Sequence, residues 1–268
     1  VILLIPIYKA ISFIKVIPQE SGHTKPWVVM VKTESGFQPY VVKLYSTDQI
    51  ENRNSVAAEV VGNLLAPNFD FNVPKMALID FPNKFINTLP AEELFQFEQS
   101  DERLKFGCYY LEDAVNFSKE VQKKYLISSM QLDTLYAFDN FIRNGDRGTK
   151  KPNLLFKKGE SWLIDHEYAL DIKEDTLNKM KNYSWEDKFA SHHICLPYLK
   201  KESKTNKISL FNSFTEYLRT LNLKEIQDVL IELEGHEFNT QSALIMDYFT
   251  VVKRNSAIFV NNLKGFIQ

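Results

Sequence analysis

The sequence predicts a mixed α+β fold, with a small β-rich part, a larger helical part after it, and one cleft between them. Three observations predict this. Up to about Asp80 the apolar residues form β-branched and aromatic runs broken by turn signals. From Ser118 they recur at helical spacing. No internal repeat and no strong linker interrupts the 268 residues, a length between one average domain and two. Hydrophobic residues make up 44% and aromatics 13%, ample for a packed core at this length. Only 9 Gly and 10 Pro argue against a disordered chain.

The elements follow in order. Trp27–Val31 and Tyr40–Tyr45 read as strands around the turn Glu34-Ser-Gly-Phe37, which predicts an antiparallel hairpin. Asn54 or Ser55 then caps a helix whose apolar positions are Val56, Ala57, Val60, Val61, Leu64 and Leu65, with Pro67 closing it. Val73–Ile79 and Lys105–Leu111 return to strand. Val121, Tyr125, Met130, Leu132, Leu135, Phe138, Phe141 and Ile142 mark a long amphipathic helical stretch. A polar loop from Arg143 to Asn153 leads into a hairpin, Leu154–Phe156 and Ser161–Ile164. Leu221–Leu233 and Ser242–Leu263 read as helices.

Charge narrows the function classes. Lys and Arg number 32 and Asp and Glu 34, a formal net charge of −2. That excludes a generally basic nucleic-acid coat and an acidic tail. No DNA-binding helix pair stands out, so no direct nucleic-acid partner is expected. Cys108 and Cys195 make no disulfide framework, which favours a reducing compartment. Val1–Ile7 is apolar but lacks a basic flank and a small-residue cleavage site, and Lys9 and Lys15 follow closely. No stretch approaches the roughly 20 apolar residues of a membrane span. A cytoplasmic protein without stable membrane insertion is expected.

The informative segment is Phe138-Asp-Asn-Phe-Ile-Arg-Asn-Gly-Asp-Arg147, then Lys151-Pro-Asn-Leu-Leu155, then Trp162-Leu-Ile-Asp-His-Glu167. Carboxylates and an amide fall on a loop after a helix, and a second Asp ends a short apolar strand. Phosphoryl transfer needs such a set. One carboxylate orients the attacking hydroxyl, while a second carboxylate and an amide oxygen bind Mg²⁺. On this reading Asp146 is the base, Asn153 a metal ligand and Asp165 the main metal ligand. Arg147, following the base, pairs with a carboxylate. Asp139 either orients the loop through backbone N–H bonds or acts directly. His166 is expected to be a structural hydrogen-bonding residue, and His192 and His193 to be packed core histidines.

These motifs resemble the HipA-like serine/threonine kinases, particularly the compact branch consisting of the kinase core. The resemblance extends to Glu59, Val73-Pro74 and Phe106-Gly107, and so covers roughly residues 20–170. The seven-residue step from Asp146 to Asn153 is longer than the five of ordinary protein kinases and is similar to this branch. The resemblance implies a protein-kinase-like two-lobe fold. Residues 1–111 would form a β-rich, nucleotide-binding N-lobe with one helix, and residues 112–268 a mainly helical C-lobe with the catalytic and metal-binding loops. It implies ATP and Mg²⁺ as cofactors, and Asp146 and Arg147 as catalytic residues. Lys43, on the strand Val41–Tyr45, is placed to contact the α- and β-phosphates, and Glu59, sixteen residues on, to hold that lysine. Glu20–Pro26 would be the phosphate-covering turn, with Ser21, Gly22, His23 and Thr24 facing the nucleotide; an ordinary hairpin turn is the alternative. Gly107–Leu111, ending in Tyr110 and Leu111, would be the interlobe hinge at the adenine.

The resemblance further implies transfer to a protein Ser or Thr, in bacterial growth-control or toxin–antitoxin systems. Partners would then be a protein substrate, such as a translation enzyme, and a cognate antitoxin protein. Ser21 and Thr24 would be autophosphorylation sites, or else plain turn residues. Two other functions remain open on sequence. One is a phosphoinositide-type lipid kinase, for which Lys150, Lys151, Lys157, Lys158, Lys200, Lys201, Lys204 and Lys207 would supply a basic face. The other is an ATP-binding pseudokinase scaffold.

Overall fold

The structure, a computed structural model, describes residues 4–18, 25–117, 126, 128–183 and 191–268. Its N-terminal part holds β1 (Ile7–Val16), β2 (Trp27–Thr33), β3 (Gly36–Val42), β4 (Met76–Asp80) and β5 (Lys105–Tyr109), closed into a barrel of order β1-β2-β3-β5-β4. All neighbours are antiparallel except β1 and β4. The β2–β3 hairpin turns at Gly36, whose φ of 116° suits glycine. Strand alternation sorts the side chains. Trp27, Val29, Val31, Tyr40, Val42, Ala77 and Ile79 share one buried cluster, while Leu78 and Phe106 join the main core on the other face.

Four helices accompany the barrel: α1 (Thr47–Glu51), α2 (Ser55–Leu65), α3 (Asn83–Ile86) and α4 (Ala91–Glu98). Helix α2 starts at Asn54, in the left-handed region at φ 53° and without a side-chain cap bond, and runs into a 3₁₀ turn over Ala66–Phe69 that contains Pro67. Its burial is nearly complete: Val56, Ala57, Val60, Val61 and Leu65 pack in the main core.

The C-terminal part is helical around one small sheet. Helix α5 (Leu132–Phe141) buries Leu135, Tyr136, Phe138 and Phe141, and Tyr248 Oη donates to the Phe141 carbonyl at its end (2.9 Å). The sheet has the order β6 (Val115–Asn116), β7 (Leu154–Lys157), β8 (Glu160–Leu163). The β7–β8 turn places Lys158 and Gly159 at φ 52° and 89°, both positive as a two-residue hairpin of the right twist requires. Helices α6 (Glu174–Lys181), α7 (Leu196–Leu199), α8 (Lys204–Ser209), α9 (Asn212–Thr220), α10 (Leu223–Gly235), α11 (Ser242–Arg254) and α12 (Ser256–Phe266) complete the chain. Among the described residues no helix is long and apolar enough to cross a membrane.

Three expectations need correction. The stretch read as one helix to Ile142 is broken at Met130 and Gln131, which are not helical, and α5 begins only at Leu132; Ser118, Val121 and Tyr125 lie outside the described residues. The stretch Ser242–Leu263 is two helices, because Asn255 at φ −110°, ψ 33° ends α11 and begins α12. His192 is exposed; only His193 of that pair is buried.

Candidate active site

Lys43 follows β3 by one residue, and its N–H still donates to the Phe106 carbonyl (3.1 Å), so the strand pairing carries it. Alternation turns it away from Tyr40 and Val42, toward α2. There Lys43 Nζ bonds Glu59 Oε1 and, at 2.5 Å, Asp165 Oδ1, with Glu167 Oε2 3.5 Å away. Glu59 is 1% exposed and fully engaged. Tyr45 Oη donates to its Oε1 (3.1 Å) and the His166 N–H to its Oε2 (3.0 Å). One turn along α2 from Glu59, Gly62 lets the chain after Asp165 come close. A Cβ there would lie 2.5 Å from His166 Cγ. Glycine and glutamate thus dock the Asp165–Glu167 segment on the helix together.

The β7–β8 hairpin brings the second set of residues to the same place. Leu154 pairs with Leu163, and the Ile164 N–H donates to the Asn153 carbonyl (3.1 Å), so Asn153 and Asp165 flank the open end of one hairpin. Both have positive φ, 51° and 61°, a conformation that Asn and Asp tolerate better than most residues. Asn153 Nδ2 donates to Asp146 Oδ2 (3.1 Å), which leaves its amide oxygen as an acceptor. Lys151 Nζ lies 2.9 Å from Asp165 Oδ2 and 3.5 Å from Asp146 Oδ2. Lys43, Glu59, Asp146, Asn153 and Asp165, singled out in the sequence, are therefore joined in one contact network.

A second network lies under the loop. Arg147 is wholly buried and does not face the cleft; its Nε donates to Asp139 Oδ2 (2.6 Å) and its Nη1 to the carbonyls of Asn153 (2.7 Å) and Pro152 (3.4 Å). Asp139 also bonds His193 Nε2 (2.9 Å) and accepts from Asn144 Nδ2 (3.1 Å). The Cys195 N–H donates to His193 Nδ1 (3.1 Å), which leaves the Nε2 proton for Asp139. Asp139 orients the loop through side chains rather than through backbone N–H groups. Arg147 does pair with a carboxylate, and its second task is to fix the Asn153 backbone.

Electrostatics follow from this geometry. Burial alone would push the Lys43 ammonium down, but Asp165 and then Glu59 outweigh it and hold it well above the usual lysine range. Burial raises Glu59 against the pull of Lys43. Asp165 is held well below the usual carboxylate range despite its burial, by Lys43 and Lys151. Lys151 is raised, since Asp165 and Asp146 overcome its partial burial. His166 was expected to be a structural hydrogen-bonding residue. Its backbone N–H does bond, but its buried ring nitrogens make no hydrogen bond, Nδ1 lying 3.9 Å from Glu59 Oε2, and burial holds its pKa down at about 3.

The remaining residues are placed elsewhere. Tyr110 Oη accepts from Lys15 Nζ of β1 (3.1 Å), and the Leu111 carbonyl accepts from the Ala114 N–H (3.3 Å); neither contact involves the Lys43 cluster. Ser21, Gly22, His23 and Thr24 lie outside the described residues. Lys151, read as part of a basic face, instead turns into the network. Glu167 was quoted in the motif without a role, and no local periodicity signals it, since Asp165 is left-handed and Glu167 lies in a turn. Carboxylate oxygens of Glu59, Asp165 and Glu167 lie within 4.8 Å of one another. Lys43 Nζ contacts all three of these carboxylates. A cavity of about 630 Å³ opens beside Asp146 and Glu167, lined also by Arg53, Tyr168, Leu170 and Leu244.

Residues 13–222 match the HipA-like kinase family. The chain belongs to that family. Among solved structures it is similar to the crystal structure of a Helicobacter pylori proinflammatory kinase, CtkA. The TM-score is 0.49 at 11% identity, over 94% of this chain and 95% of that one. No curated protein matches the chain. The motif residues from Asp139 to Glu167 and the Lys43–Glu59 pair all fall inside the matched span of this kinase.

Proposed function

We propose that this kinase transfers the γ-phosphoryl group of ATP to a protein Ser or Thr, with Asp146 as the base and with Asp165 and Asn153 as ligands of Mg²⁺. The observation that carries the reading is the Lys43–Asp165–Lys151–Asp146 chain of contacts, with Asn153 bonded to its end. Two lysines and several carboxylates meet there, and Asp146 and Glu167 also line a cavity, which suits a triphosphate and an acceptor hydroxyl. The β-rich part, residues 1–111, and the helical part, 112–268, act as the two lobes.

Each residue has a task. Lys43 binds the α- and β-phosphates, and Glu59, anchored by Tyr45 and the His166 N–H, keeps that ammonium in place. Mg²⁺ held by Asp165 and Asn153 supplies neutralisation of the phosphate charge. Asp146 accepts the proton of the hydroxyl presented from the cavity. Arg147, pinned by Asp139, sets the position of Asn153. Tyr110 and Leu111 bond the adenine through backbone groups, and the segment with Ser21, Gly22, His23 and Thr24 covers the phosphates. Regulation by autophosphorylation at Ser21 or Thr24 belongs to the same reading. So do a translation enzyme as substrate, a cognate antitoxin protein as partner, a role in growth control, and a cytoplasmic location. ADP release from Mg·ATP by the wild type and the Asp146→Asn and Asp165→Asn variants tests the assignment.

A further inference from the structure

Among the described residues, Lys151 is the one cation that touches both Asp146 and Asp165, the two carboxylates to which the proposed function gives different tasks. Its ammonium lies on Asp165 Oδ2 at 2.9 Å, while Lys43 occupies Oδ1 of the same carboxylate. Both oxygens of the proposed metal ligand therefore carry an ammonium partner. The two lysines differ in how firmly they are held. Lys43 is 13% exposed and has Glu59, Asp165 and Glu167 around it. Lys151 is 38% exposed and, among the described residues, its ion pairs are with the two aspartates, the second at 3.5 Å. A long, flexible side chain at a half-open position gives up such a contact more readily than a buried one.

We infer that Lys151 competes with the divalent cation for Asp165, and that the nucleotide's phosphates relieve the competition by taking the ammonium. The inference rests on the proposed metal and nucleotide site. An ammonium and a divalent cation cannot share one carboxylate oxygen at contact distance without strong repulsion. Phosphate oxygens offer Lys151 a replacement partner with more negative charge than Asp165 alone. The metal alone is then held weakly, and the metal with nucleotide tightly, through one residue. Lys151 acts here as a positioning residue that sets the order of loading.

Uptake of Mn²⁺, read by the resonance of the free ion, tests this without any turnover. For Mn²⁺ alone, Lys151→Met should bind about tenfold tighter than wild type, the scale of a partly screened charge contact. For Mn²⁺ with a non-hydrolysable ATP analogue the sign should reverse, with Lys151→Met about tenfold weaker. Lys151→Arg, which keeps the charge, should follow the wild type in both. If Lys151→Met binds Mn²⁺ alone no tighter than wild type, the competition is absent. In that case, loss of Mn²⁺-analogue binding in Asp165→Asn would still uphold the proposed metal site. If wild type and Asp165→Asn take up Mn²⁺ with analogue equally, the proposed metal site is overturned, and the competition with it.

Discussion

Beneath the loop, the side chains of Asp139, Arg147 and His193 are at most 1% exposed; above it, those of Lys43, Asp165 and Lys151 are 13%, 11% and 38% exposed. The lower network draws the members described from residues 139–195 and encloses them. The upper one joins residues 122 apart in the chain, from β3 and from the end of β8. Buried charges without an alternative partner cannot trade, so the lower network fixes geometry. Half-open charges can exchange a protein partner for a ligand, so the upper network is the one suited to binding. The same residue types serve both purposes, and burial decides which.

The comparison breaks first at Asp139. Asp139→Ala leaves the Arg147 guanidinium buried without its carboxylate, and unfolding in urea should show a loss of about 3–5 kcal/mol. A loss below about 1 kcal/mol, the scale of an exposed pair, would mean that the lower network is not the rigid one.

His166, between the networks, gives the next largest effect. Burial, with the Arg147 charge, holds its pKa at about 3 against an ordinary 6.5. Between those values the unfolded chain takes up a proton that the folded chain refuses, so stability rises with pH across the window. In the presence of a chelator, lowering the pH from 7 to 5 should cost about 2 kcal/mol through this group, at about 1.4 kcal/mol per unit below 6.5. The slope should flatten in His166→Leu. Equal slopes in the two proteins would show that the ring takes up its proton in the folded state as well.

The smallest effect sharpens the contact between α2 and the Asp165 segment. Gly62→Ala drives a methyl into His166 and should destabilise the protein by about 1.5 kcal/mol, within the usual range of overpacking. Since His166 bonds Glu59, the Lys43–Glu59 pair should loosen too, seen as weaker nucleotide binding. Unchanged stability and binding together would remove Gly62 from the architecture of the cleft.

Local chemistry made much of this legible. The β2–β3 and β7–β8 hairpins announce themselves through Ser35-Gly36 and Lys158-Gly159, and α2 through its apolar spacing. The spacings from Lys43 to Glu59 and from Asp146 through Asn153 to Asp165 carry the resemblance that singled out those residues. What stayed hidden depends on distant partners or broken periods. Strand β1 alternates poorly because its register shifts between Ala10 and Ser12 and again between Phe13 and Lys15. Lys151 sits in a polar loop, where nothing local separates a lysine pointing into a cleft from one in water. Asp139 and His193 meet across 54 residues. Asn255 interrupts an apolar pattern that reads as continuous.

The central claim is that the Lys43–Asp165 cluster holds the metal and phosphates while Asp146 acts on the acceptor hydroxyl. ADP release from Mg·ATP, with nucleotide binding followed in parallel, tests it most directly. Asp146→Asn should bind Mg·ATP close to wild type and turn it over about 10²–10⁴-fold more slowly, the usual worth of a positioned base. Asp165→Asn should lose magnesium-dependent binding itself. Wild-type turnover in either variant would contradict the account.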